Sequence, residues 1–372
     1  MVKTIVILGA SFAGLTVAHK LLKNTYKDVK DFKVILVSNT THAYWNLASV
    51  RAIVPGQIAD NQIFQPIEPA FKRYPSGSFE FVLGTAKNLD PASKLVQITT
   101  YSGERSQPYD ILVLATGSSA IGEVPWKAIG DVDESKALLH RIQDKVKSAK
   151  SIVVGGGGAT GVESAGELGF EYGRSKEITL ITAGEFLLEG AVEKKIGNGA
   201  EKVLKNQGVK IIKSTRVLSA SVLSSGKTEL ALSNNSTITV DLYLPTTGLI
   251  PNSGYVPSKL RNDKGFVKVD TFLRVKDAKD IWAAGDIADI QRPQLVNTST
   301  QAVHLAKNLD AVLKGKAPVP YKPGSAMIAV TIGRSKGTGA MGSMKLPSIM
   351  VWFAKGRSLL VEKLVPTVAG DA

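Results

Sequence analysis

Apolar residues along this chain fall into short unbroken runs and longer stretches at helical spacing, and glycines mark where one gives way to the other. Lys3 opens the run Thr4-Ile5-Val6-Ile7-Leu8, which lacks polar alternation and predicts a parallel strand buried on both faces. Gly9, Ala10, Ser11, Phe12, Ala13 and Gly14 follow, and then Leu15, Val17, Ala18, Leu21 and Leu22 at the spacing of one helix face. A second strand is predicted at Lys33-Val34-Ile35-Leu36-Val37. The same order of strand, glycine turn, helix and strand recurs from Ser151-Ile152-Val153-Val154 to Ile178-Thr179-Leu180-Ile181. Two further runs end in small residues: Tyr109 to Ala115 in Thr116-Gly117, and Ile281-Trp282-Ala283-Ala284 in Gly285-Asp286, where a helix is expected next. This alternation predicts an α/β fold.

Each glycine turn carries a chemical expectation. Gly9 permits a tight turn, Gly14 lets the helix pack close to the strand, and a small residue at position 11 lets backbone approach a pyrophosphate. Ser11 stands there in place of the usual glycine. The second turn is fuller, since Gly156, Gly158 and Gly161 match G-x-G-x-x-G between a strand and a helix. The first pattern's second strand ends in Ser38-Asn39, which can hydrogen-bond a ribose without an ionised acceptor. The second pattern ends in Thr182-Ala183-Gly184, with Glu185 late and no arginine directly after, so NADH and NADPH stay open. Asp286 reads either as an acceptor for flavin ribityl hydroxyls or as a helix N-cap.

Composition narrows the chemistry. The 372 residues are too many for one core and predict two or three compact units. There are no cysteines, which excludes thiol redox centres, iron–sulfur clusters and disulfides, so redox work falls to a bound organic cofactor. His19, His42, His140 and His304 are scattered, and no metal site is expected. A net charge of +14 suits anionic partners such as nucleotides, but the basic residues are diffuse and argue against nucleic acid. No apolar run reaches the length of a membrane span. The N-terminal stretch makes a poor signal peptide, and Val2 stands where myristoylation needs glycine. A cytoplasmic or membrane-peripheral protein is expected. The stretch Pro347 to Ala354 reads either as core or as a surface meeting a membrane.

The order of motifs, a glycine fingerprint, A-T-G, a second fingerprint with Gly161-Val162-Glu163, then A-G-D, resembles the pyridine-nucleotide flavoproteins. Asn46, Ala48, Arg51 and Ala52, with Tyr321-Lys322-Pro323-Gly324, Gly333-Arg334 and Lys355-Gly356-Arg357, narrow it to the apoptosis-inducing factor 2 / ferroptosis suppressor group, related to type II NADH dehydrogenases. The resemblance implies FAD contacts from residues 9–14, Arg51, Val82 and Asp286, with Thr116, Gly117 and Gly285 beside them. It implies that Glu163 lies near the nicotinamide–flavin junction and Lys355 near the flavin edge, and Leu360 stands where the group tends to have Phe.

It further implies two Rossmann-like dinucleotide-binding domains and a small C-terminal α+β cap. Residues 1–118 and 245–320 would form a split FAD domain, 119–244 an inserted NAD(P)H domain, and 321–372 the cap. NAD(P)H would give a hydride to the flavin, and electrons would pass to a diffusible small-molecule acceptor, a quinone by preference. The rival readings are a dedicated biosynthetic flavin oxidoreductase and a nucleic-acid-binding flavoprotein.

Overall fold

The computed structural model describes residues 2–371. Its first sheet has seven strands, in spatial order Ile281–Ala283, Ile111–Leu114, Lys3–Leu8, Phe32–Ser38, Phe79–Asp90, Leu95–Thr100 and Gly103–Pro108. The first five pair in parallel, and the last three form an antiparallel meander. Helices and loops cover both faces, which is why Ile5, Val6, Ile7 and Leu8 are all buried and the run carries no polar alternation. Ile281–Ala283 comes from far down the chain, yet completes the same sheet beside Ile111–Leu114.

What intervenes builds a second sheet, wholly parallel, in the order Val209–Ile212, Glu177–Ile181, Ser151–Gly155 and Leu242–Pro245. The segment leaving the first sheet, Ser118–Ala120, pairs antiparallel with the returning segment Leu249–Pro251. A third sheet, Met327–Ile332, Lys336–Met341 and Met344–Lys345, is antiparallel and followed by the short helix Ser348–Val351.

One expected element differs. No helix follows Gly285-Asp286; the next one is Leu295–Leu313. The chain first runs alongside Val267, where Ala288 forms a parallel bridge and the Asp289 carboxylate accepts the Val269 N–H at 3.0 Å. Pro293 then precedes the helix, and Asp286 is not its N-cap.

The C-terminus is fastened to the helix Phe12–Lys23. His19 Nε2–H donates to the Val368 carbonyl at 2.7 Å, which leaves Nδ1 to accept the Tyr74 hydroxyl at 2.8 Å. The ring stacks on Phe71, and Lys23 and Arg73 each reach Asp371 at 3.0 Å. Burial pushes the His19 imidazole down from 6.5 to about 4. Between those two values the unfolded chain binds a proton that the folded chain refuses, so stability falls as pH drops through that window. The loss should approach about 3 kcal/mol at the acid end. Urea unfolding at neutral pH and near pH ~4.5 checks it. His19→Gln should show a clearly smaller difference between the two; an equal difference would assign the acid sensitivity elsewhere.

Candidate functional site

Both glycine fingerprints sit at the carboxyl ends of central parallel strands, where strand order reverses and α/β sheets form their crevices. At the first, Gly9 holds φ +105°, and a Cβ on Gly14 would collide with the Gly9 carbonyl. Helix Phe12–Lys23 therefore starts tight against the strand. Ser11 at its N-cap makes no side-chain cap, and the first turn has no acidic residue, leaving its N–H groups available to an anion.

A cavity of about 580 Å³ opens there. Gly9, Ala10, Ser11, Phe12 and Ala13 line it, with Ser38 and Asn39, then Gly84, Thr85 and Ala86, then Thr116, Gly117, Gly285 and Asp286. The Asp286 carboxylate accepts from Lys127 Nζ at 2.6 Å, Ser118 Oγ at 3.0 Å and Thr298 Oγ1 at 3.4 Å. A cradle of small residues at a helix N-terminus, one cation and one carboxylate fit a dinucleotide with a pyrophosphate and a polyhydroxylated chain.

A second cavity, about 740 Å³, shares Phe12, Asn46, Lys127, Asp286 and Thr298 with the first. Helix Ala159–Tyr172 brings Ala159, Thr160 and Glu163 to it, and the loop after Leu242–Pro245 brings Thr246, Thr247 and Gly248. The C-terminal unit contributes Met327, Ile328, Ala329, Lys355 and Leu360. Glu163 and Lys355, 192 residues apart, meet here: Lys355 Nζ donates to Glu163 Oε1 at 2.6 Å. The Thr331 N–H also donates to Glu163 Oε1, at 3.0 Å, and both charged side chains are largely buried. Lys355 sits in a π-helical turn, Trp352–Gly356, a one-residue widening common at functional sites.

The structure brings together residues 9–13, Thr116, Gly117, Gly285 and Asp286 in one cavity, and Glu163 with Lys355 in the next. Gly14 lies behind the first turn as a packing residue. Gly156, Gly158 and Gly161 form the second turn at the head of helix Ala159–Tyr172 and line neither cavity. Val82 is core, opposite Val37, and the cavity is lined by residues slightly further along its strand. Arg51 also lines neither cavity; its guanidinium is held by Glu167 and two backbone carbonyls.

Sequence reasoning missed Lys127, Thr298 and the Thr246-Thr247-Gly248 turn, and it named Asn46 as a motif residue without giving it a place in the site. The turn had a signal. Leu244-Pro245-Thr246-Thr247-Gly248 follows its strand much as Leu114-Ala115-Thr116-Gly117 follows the other, and Gly117 and Gly248 share a positive φ, +65° and +79°. The stretch at residues 347–354 is split: Val351 is buried, while Ile349, Met350 and Phe353 are exposed. Among the described residues no helix is long and apolar enough to cross a membrane.

The sequence profile of the pyridine nucleotide-disulphide oxidoreductases matches residues 3–302. An oxidoreductase of Pestalotiopsis fici, ptaL, is 43% identical over 371 residues, covering 99% of each chain. Ferroptosis suppressor protein 1 of Xenopus tropicalis is 29% identical over 373 residues, covering 96% of this chain and 94% of that one. In fold, the sulfide:quinone oxidoreductase of Aquifex aeolicus superposes with a TM-score of 0.79 at 17% identity, over 99% of this chain and 92% of its own. The resemblance read from the motifs is borne out, and the α/β expectation with it.

Proposed function

This chain belongs to the pyridine nucleotide-disulphide oxidoreductase family, and from that premise we propose that it is an NAD(P)H-dependent FAD oxidoreductase whose acceptor is a diffusible quinone. FAD, when bound, supplies the two-electron relay between nicotinamide and acceptor. The family's disulphide chemistry has no residue to act through, since the chain has no cysteine. Electrons therefore leave directly from the flavin, and we read the acceptor as a small molecule.

The observation that carries the reading is the Lys355–Glu163 pair in a cavity that joins apolar side chains to a second ion pair, Lys127–Asp286, and several threonines. Leu47, Val50, Ile121, Leu249, Val296 and Ile328 give that cavity stretches of apolar wall. An uncharged ring suits such walls, and the reduction of a quinone to a quinol takes up two electrons and two protons. Lys355 Nζ carries a proton at the wall, and Glu163 Oε1 holds that ammonium in place. Exposed Ile349, Met350 and Phe353 in the same C-terminal unit would let the protein lie against lipid, where long-tailed quinones reside.

The greater identity to ptaL, named simply as an oxidoreductase, than to the ferroptosis suppressor keeps one second reading, a dedicated oxidoreductase of a single small molecule other than a quinone. One experiment separates the two. The purified protein should be yellow, release FAD on acid treatment and bleach with NADH or NADPH. Soluble quinones, and a long-tailed quinone in anionic vesicles, should then restore the oxidised spectrum much faster than dioxygen does. A protein that bleaches but is reoxidised by no quinone would leave the second reading; a colourless one that refuses FAD would sink both.

A further inference from the structure

We propose that Arg51 is a positioning residue that sets the Lys355–Glu163 contact by tying three segments of the chain to one guanidinium. Arg51 belongs to the short helix Ser49–Ala52, whose Ser49 and Val50 line the second cavity. Its Nε donates to Glu167 Oε1 at 2.9 Å, and one terminal nitrogen lies 2.8 Å from that oxygen. The same terminal nitrogen donates to the Gly356 carbonyl at 2.8 Å, and the other donates to the Arg357 carbonyl at 3.1 Å.

Each partner is one step from the pair. Glu167 follows Glu163 by one turn of helix Ala159–Tyr172, so both carboxylates lie on one face. Gly356 and Arg357 directly follow Lys355, and their carbonyls stand at the end of its π-helical turn, where helix carbonyls lack intrahelical partners. Arg51 therefore fixes the helix carrying Glu163 and the turn carrying Lys355 from a third element.

Burial favours specificity here. The Glu167 side chain is fully buried; burial pushes its carboxyl up, and Arg51 opposes that shift. Arg334 Nε approaches the other Glu167 oxygen only to 3.6 Å. A buried carboxylate held this way costs stability against an apolar pair of similar volume, so a role in fixing geometry accounts for the arrangement better than stability does. The planar fork reaches Glu167 and two carbonyls from three separate nitrogens, a spread that the single ammonium of a lysine does not reproduce.

The proposal rests on the reading of Glu163 and Lys355 as redox-site residues, and its test keeps the two apart. Arg51→Lys and Glu167→Gln are made in the native chain and in a Lys355→Met background. In the flavin-free protein, acetic anhydride labelling of Lys355 is followed by peptide mass spectrometry. In flavin-loaded protein, the FAD dissociation constant and both half-reactions are measured. Both variants should label Lys355 several-fold faster and slow reoxidation by a quinone about tenfold. FAD affinity should stay within about twofold. The kinetic loss should vanish in the Lys355→Met background.

Unchanged labelling overturns the proposal, as does an undiminished loss in the Lys355→Met background. Weakened FAD affinity with a normal reoxidation rate per bound flavin also overturns it, making Arg51 a cofactor contact instead. If Lys355→Met alone keeps wild-type half-reactions, the redox reading fails, and labelling alone judges the clamp. Should Arg51→Lys fail to fold, Glu167→Gln, which keeps one acceptor oxygen, removes the charge and turns the other oxygen into a donor, carries the same test.

Discussion

Gly158→Val should purify with its full flavin spectrum and yet be reduced by sub-saturating NADH or NADPH at least about a hundredfold more slowly than wild type, roughly 2.7 kcal/mol of lost interaction. The reason lies in how the glycines of the second fingerprint differ. Gly156 holds φ +130°, and a Cβ on Gly161 would enter the Gly156 carbonyl, so both are demanded by the turn itself. Gly158 is neither strained nor crowded. It caps helix Ala159–Tyr172 in ordinary extended backbone, φ −75°, and a Cβ there would meet nothing within 4 Å. The fold does not require glycine at 158, whereas a pyrophosphate laid on the helix N-terminus does. The valine should therefore leave the fold and the first cavity intact and obstruct only the nicotinamide dinucleotide. Stopped-flow bleaching at several NADH concentrations, with FAD content measured beside it, decides the matter. Joint loss of flavin and reduction would mean that the domain collapses or that the two fingerprints bind the other way round.

What was legible in the sequence was what local physics dictates. Lys3–Leu8 is unbroken and apolar because both of its faces are covered, and the turn after it needs Gly9 at positive φ, so pattern and glycine together announced the element and its use. The same holds for Ser151–Gly155 and the turn beyond. What was illegible depends on pairings across the chain. Lys127 reaches Asp286 across 159 residues, and Arg51 reaches Glu167 across 116. Neither cation sits in a local pattern that says which carboxylate it will meet. The helix expected after Asp286 fails for a related reason: the bridge from Ala288 to Val267, set by tertiary contact, overrides the local expectation. Glu163 and Lys355 were proposed to converge through family resemblance, and their direct contact required the fold.

That contact changes what single substitutions should do. Glu163→Gln should mainly slow flavin reduction by NAD(P)H, because Glu163 lies on the helix that the second fingerprint opens. Lys355→Met should mainly slow reoxidation by a quinone, because Lys355 comes from the C-terminal unit and not from the helix that the second fingerprint opens. Losses of about tenfold to a hundredfold, roughly 1.4 to 2.7 kcal/mol, suit positioning and charge rather than covalent chemistry. With Nζ and Oε1 2.6 Å apart and both side chains largely buried, however, neither residue is independent. Each single variant leaves the partner's charge buried and unpaired, and part of its defect is that penalty. The double variant removes both charges, so its loss should be smaller than the two single losses combined, and no worse than the larger of them in either half-reaction. Stopped-flow measurement of both half-reactions on the four proteins supplies the cycle. Additive losses would mean that the two groups act separately and meet only incidentally. Wild-type rates in all variants would make the pair structural, and the acceptor would then have to be sought along another wall of the cavity.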